Sequence, residues 1–181
     1  MKTQNIFKPF IAILIFAIST TVQAQDFPEL DKSPMDVASY PSNYKVSDKL
    51  IKVIYSRPQL KDRELSQLAP NGLVWRTGAN EATEIIFYKD MYFGQTKVKA
   101  GTYSLFTIPG DKEWIVILNK DTNIWGAYTY EPLHDVARMK VPVIMGKNFL
   151  EAFSMVFEET DKGVNLFMGW GNIVIEVPFR R

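Results

Sequence analysis

The sequence contains no cysteine and only one histidine in 181 residues. Without cysteine there is no disulfide, no thiolate metal site, no thiol nucleophile and no lipid on an N-terminal cysteine. With His134 alone, a histidine-rich zinc site is excluded, and neither the HExxH spacing nor a Gly-x-Ser-x-Gly nucleophile elbow occurs. A Ser-His-Asp triad would have to use His134, whose setting, Pro132-Leu133-His134-Asp135, reads as an exposed loop. Glycine fingerprints for phosphate are missing; Gly169-Trp170-Gly171 reads as a hairpin corner. The calcium-loop pattern is missing too, and Asp121-Thr122-Asn123 is too short a string to replace it. The reading is therefore of a chain with no metal and no cofactor.

Long apolar runs are equally scarce. Phe10 to Ile18 is an uninterrupted run of nine residues, preceded by Lys2 and Lys8 and followed by the small, polar Ser19 to Ala24. Val22 and Ala24 take the minus-three and minus-one positions of a cleavage site. This is the layout of a secretory signal peptide over residues 1–24, and the run is too short for a stable transmembrane helix. An uncleaved N-terminal anchor is the alternative. The mature chain is expected to begin near Gln25 and to be periplasmic or secreted. Two of the 21 basic residues and none of the 20 acidic ones lie in the prefix, so the remainder carries 19 basic against 20 acidic side chains, a net charge of −1. Such a balance offers no general attraction for nucleic acid or acidic lipid. No later run is long enough to cross a membrane.

What is present is β-type sequence. Residues 25–43 are rich in proline, serine and aspartate and read as an extended lead-in, because Pro28, Pro34 and Pro41 forbid a regular helix. Residues 44–181 read as one domain of short strands separated by turn signals. Strands are expected over Leu50–Arg57, Glu84–Tyr88, Met91–Phe93, Thr96–Val98, Thr102–Ile108, Glu113–Asn119, Val136–Val143, Phe149–Glu158, Val164–Trp170 and Ile173–Phe179. Gly94-Gln95, Pro109-Gly110, Asp161-Lys162-Gly163 and Gly171-Asn172 supply the turns. Ser66 to Pro70 suits one helical turn. The expected class is all-β, a single antiparallel β-sandwich with jelly-roll-like connections as one option; a closed barrel is the alternative.

Chemistry, in the absence of the usual catalytic sets, falls to a polar and aromatic group. Tyr55, Arg57 and Arg63 follow the first strand. Trp75, Arg76, Asn80 and Glu81 crowd one turn, and Trp125 and Tyr128 sit in an aromatic loop. Arginine presents a planar fork suited to an anion, Asn and Glu can hold sugar hydroxyls, and aromatic faces stack on rings. Each has a plainer reading: Arg76 pairs with Glu81 across the turn, Trp75 plugs the core, and Asn80 fills a left-handed position. For a carboxylate enzyme, Glu81 is the first candidate, with Glu84, Asp121 or Asp135 as partner.

Several stretches also carry a resemblance. Tyr55-Ser56-Arg57-Pro58, Val74 to Thr83 (VWRTGANEAT), Ala100 to Phe106 (AGTYSLF), Asn119-Lys120-Asp121 and Trp125-Gly126 are similar to domain of unknown function 2911, mostly secreted proteins of Bacteroidota. The resemblance spans about Ser33 to Phe179 and brings no activity with it. It implies that Tyr55, Arg57, Trp75, Arg76, Gly78, Asn80 and Glu81 belong to the family pattern. Lys61-Asp62-Arg63 departs from the usual Lys-Gly-Arg, which puts a left-handed turn there in question. The expected role is a module binding a small anion or glycan. A structural or protein-interaction domain of the cell envelope, and a glycoside hydrolase or lyase, are the alternatives.

Overall fold

A computed structural model describes residues 25–181; the expected signal peptide lies outside the described residues. Nine strands follow in order: β1 (Met35–Tyr40), β2 (Ile51–Ser56), β3 (Thr83–Phe87), β4 (Met91–Phe93), β5 (Thr96–Val98), β6 (Gly101–Ile108), β7 (Glu113–Asn119), β8 (Asp135–Thr160) and β9 (Gly163–Arg180). One helical turn, α1 (Leu65–Leu68), lies between β2 and β3, and a 3-10 turn, Pro132–His134, precedes β8. All pairings are antiparallel, in the sheet order β1-β2-β3-β6-β7-β8-β9-β4-β5. The all-β class stands. The connections are those of a meander, interrupted once where the β4–β5 hairpin crosses to the outer side of β9.

Two expected breaks in the chain do not exist. Val136–Val143 and Phe149–Glu158 are parts of one 26-residue strand, and Val164–Trp170 and Ile173–Phe179 are parts of one 18-residue strand. Gly171-Asn172 is therefore no hairpin turn. Gly171 has φ 61 and sits opposite Leu150, where the β8–β9 register shifts. A left-handed glycine inside a strand makes a bulge, which sequence cannot distinguish from a turn when both neighbouring stretches are apolar. The lead-in also differs, since its second part forms β1 and pairs along the whole of β2.

The sheet curls because β8 serves both halves. Asp135 to Pro142 pairs with β7, while Val143 to Thr160 pairs with β9. The curl returns the beginning of the sheet to β8: Gln59 bridges Ala152, Leu60 N–H bonds Glu151 O at 3.0 Å, and Phe153 N–H bonds Pro58 O at 2.9 Å. The result is one open sheet folded over a single core, with a seam between the β1–β2 end and the free edge of β8. Val53, Ile85, Leu105, Val116 and Leu118 from one half meet Leu166, Met168, Ile175 and Val177 from the other.

A smaller cluster lies on the outer face. Phe106 and Ile117 point away from the main core by strand alternation, and Val74, Ile124, Ala127 and Tyr130 pack over them. The loop between β7 and β8 is thus held down as a lid of apolar side chains, and this fixes where its aromatic residues stand.

Candidate functional site

The signature residues divide into an inner and an outer set. Trp75 belongs to the inner one. It is 6% exposed, stacks on Trp170 with centroids 5.5 Å apart, and meets Trp114 and Phe153 edgewise. Its backbone exchanges both hydrogen bonds with Thr107. Tyr55 is buried, and its hydroxyl accepts the Met155 N–H at 2.9 Å; burial raises its pKa above the ordinary value. Arg57 donates from Nε to Phe153 O at 3.0 Å, from Nη1 to Asp36 Oδ2 at 3.0 Å and from Nη2 to Ser154 Oγ at 2.7 Å. Tyr55 and Arg57 therefore supply, from side chains, the partners that β8's free edge lacks in the seam. Both side chains are thereby committed to the closure, although Tyr55 also borders a cleft that it shares with Glu81 and Glu84. Arg63 is similarly occupied, donating to Leu60 O at 2.8 Å and to Gln59 O at 2.9 Å.

The outer set begins at Arg76. Strand-like alternation sends Trp75 inward and Arg76 outward. Its guanidinium makes no ion pair or hydrogen bond among the described residues, and Nε is buried without a partner. The expected Arg76–Glu81 pair does not form. The chain then turns tightly: Thr77 has φ 55 and Asn80 φ 59. A β-branched residue in the left-handed region costs of order 1–3 kcal/mol. Thr77 is held there by its own hydroxyl on Thr107 Oγ1 at 3.1 Å and by Thr83 Oγ1, which donates to Thr77 O at 2.7 Å. Gly78 is required by close approach, since a Cβ would stand 3.0 Å from Ser56 O.

The aromatic loop docks on this turn. Glu81 bridges Trp125, Ala82 N–H bonds Ile124 O at 2.8 Å, and Gly126 N–H bonds Asn80 O at 2.9 Å. Gly126 has φ 68, and a Cβ on it would stand 2.7 Å from the Tyr128 ring and 3.4 Å from Arg76 Nη1. Arg76, Asn80, Glu81, Trp125 and Tyr128 are thus brought together around Gly126. Trp125 is 60% exposed and Tyr128 82% exposed. Asp31 of the lead-in lies beside Asn80; the Ser33 N–H first, and the Asn80 amide second, hold its carboxyl below the usual range.

The acids separate by how far they are committed. Asp135 accepts from Asn119 at 2.9 Å, from Tyr130 at 2.7 Å and from Arg138 at 2.6 Å. Asp121 lies 2.5 Å from His134 Nδ1, so the histidine expected in an exposed loop is part-buried and paired. Glu81 and Glu84 instead line one cleft of about 250 Å³ with Met35, Tyr55 and Asn123, and Glu84 accepts the Asn123 N–H at 2.9 Å. No group of three or more acidic or histidine side chains is placed to hold a metal among the described residues. Nor is any described helix long and apolar enough to cross a membrane. Sequence reasoning named Gly126 through the Trp-Gly step but missed Phe153 and Ser154 as partners of the signature, and no local signal marks those two β8 residues.

The chain matches the family described as "Protein of unknown function (DUF2911)" over residues 33–179, and it belongs to that family. No curated protein and no solved structure matches it.

Proposed function

From that membership and the divided signature, we propose that this is an exported, periplasmic or secreted binding module that takes a small anion or a glycan at the outer set. The observation that carries the reading is the contrast between two arginines of one family pattern. Arg57 makes three hydrogen bonds within the fold, whereas Arg76 has no partner among the described residues and stands beside the exposed Tyr128 ring, with exposed Trp125 next along the loop. An arginine with an unsatisfied buried Nε lowers stability, and its unpaired Nη groups are free to take an anion. Strain at Thr77, inside the same turn, supports the same reading.

The test is a thermal-shift screen of glycans and organic acids against the parent and Arg76→Ala. A ligand at about a hundred times its Kd adds about 2.7 kcal/mol, or roughly 5–10 °C for a domain of this size. Unchanged melting with every class would overturn the reading.

A second reading, a carboxylate-dependent glycoside hydrolase or lyase, draws on the cleft shared by Glu81 and Glu84. It requires release of reducing ends from a glycan, lost in both Glu81→Gln and Glu84→Gln. The satisfied inner set favours a structural role for that half of the signature only.

A further inference from the structure

We infer that the ligand of the outer set is an acidic sugar, a ring bearing one carboxylate and several hydroxyls, as in a uronic acid residue of a polysaccharide. The inference rests on the binding-module reading and narrows it. Three features select the class.

The first is Arg76. Its Nε is buried, and its Nη groups have no hydrogen bond and no carboxylate within ion-pair distance among the described residues, so one anion can bridge the two Nη groups. The second is Glu81, exposed and beside the same loop through its bridge to Trp125. A carboxylate there repels a second negative charge but accepts hydroxyl protons. Arg76 with Glu81 thus favours a monoanion rich in hydroxyls over phosphate or sulfate dianions. The third is the pair of exposed rings. Trp125 and Tyr128 flank Gly126, which lets the Tyr128 ring pack directly on the backbone, where a Cβ would stand 2.7 Å from it and 3.4 Å from Arg76 Nη1; the exposed ring is thereby held next to the guanidinium. Flat aromatic faces stack on the C–H face of a sugar ring, and their rigidity keeps the entropy cost low. A ring-free acid gains nothing from them, and a neutral sugar leaves Arg76 unpaired.

Trp125 reports directly, because Trp75, Trp114 and Trp170 are 6%, 3% and 2% exposed. The full chain is titrated with tetragalacturonate, with a neutral galacto-tetrasaccharide, with acetate and with inorganic phosphate, following tryptophan emission and heat of binding. Tetragalacturonate is expected to perturb Trp125 and to protect it from acrylamide. Its affinity is expected to fall about tenfold or more in Arg76→Ala and in Trp125→Ala. Glu81→Gln is expected to keep tetragalacturonate binding while admitting phosphate, a change of selectivity that a merely structural residue would not give. Far-UV circular dichroism checks that each variant is folded. Equal binding of the neutral tetrasaccharide, or of phosphate by the parent, overturns the acidic-sugar inference and leaves the binding module standing. Binding by none of the probes overturns the inference; a thermal-shift screen without any hit removes the module as well.

Discussion

At the scale of the residue, two arginines nineteen positions apart in one pattern have opposite energetics. Arg57 joins β1 to β8 through three hydrogen bonds, one of them to a carboxylate. Arg57→Ala is expected to lower stability by about 2–4 kcal/mol, read from the urea midpoint at unchanged slope. Arg76→Met removes a buried, unpartnered Nε, so stability is expected to stay level or rise by up to about 1 kcal/mol. Equal losses in the two variants would mean that both are braces. Sequence could not separate them, because an arginine's partners lie far along the chain: Phe153 and Ser154 are 96 and 97 positions from Arg57. What is set locally was legible. Asn80 does take a left-handed conformation, and Trp75 is a core plug. The turn at Lys61-Asp62 keeps positive φ at both residues, 48 and 61, without its usual glycine.

At the scale of the element, the loop from β7 to β8 is pinned at both ends. Its far end is held by Tyr130, whose hydroxyl donates to Asp135 Oδ2 and accepts from Arg138 Nη2 at 2.8 Å, while buried Asn119 holds the other carboxylate oxygen. Burial, then the bond to Asp135, pushes the Tyr130 pKa up to about 12 from 10.0. The folded state therefore keeps this proton when the unfolded chain has lost it. The contribution is complete below pH 10 and disappears as pH rises through about 12. Urea unfolding across this window, beside phenolate absorbance, should give a falling stability that is flatter in Tyr130→Phe. The strand positions of this part of the chain were readable from alternation. The merging of β8 and of β9 was not, because a bulge and a turn use the same glycine chemistry.

At the scale of the whole molecule, what matters is how a folded sheet closes. Among the described residues, the backbone after β2 joins β8 over residues 58–60 and 151–153; beyond that, Tyr55 and Arg57 complete the closure. Tyr55→Phe should leave the Met155 N–H without its acceptor. The expected result is a loss of about 1–2 kcal/mol and faster hydrogen exchange at Met155 and its β8 neighbours, with β6 and β7 unchanged. Uniform acceleration would show that the closure has no separate identity. The antiparallel all-β body was legible from alternation; the seam was not, since strand patterns specify faces but not which edges meet.

The seam also decides how this protein behaves when it is damaged. An intact closure hides the amide row of β8 from other molecules. Once Tyr55 or Arg57 is lost, that row is a template on which a second copy can add a strand. Variants at these two positions should therefore be recovered less in soluble form than their loss of folding free energy alone accounts for, through edge-to-edge aggregation that dilution relieves.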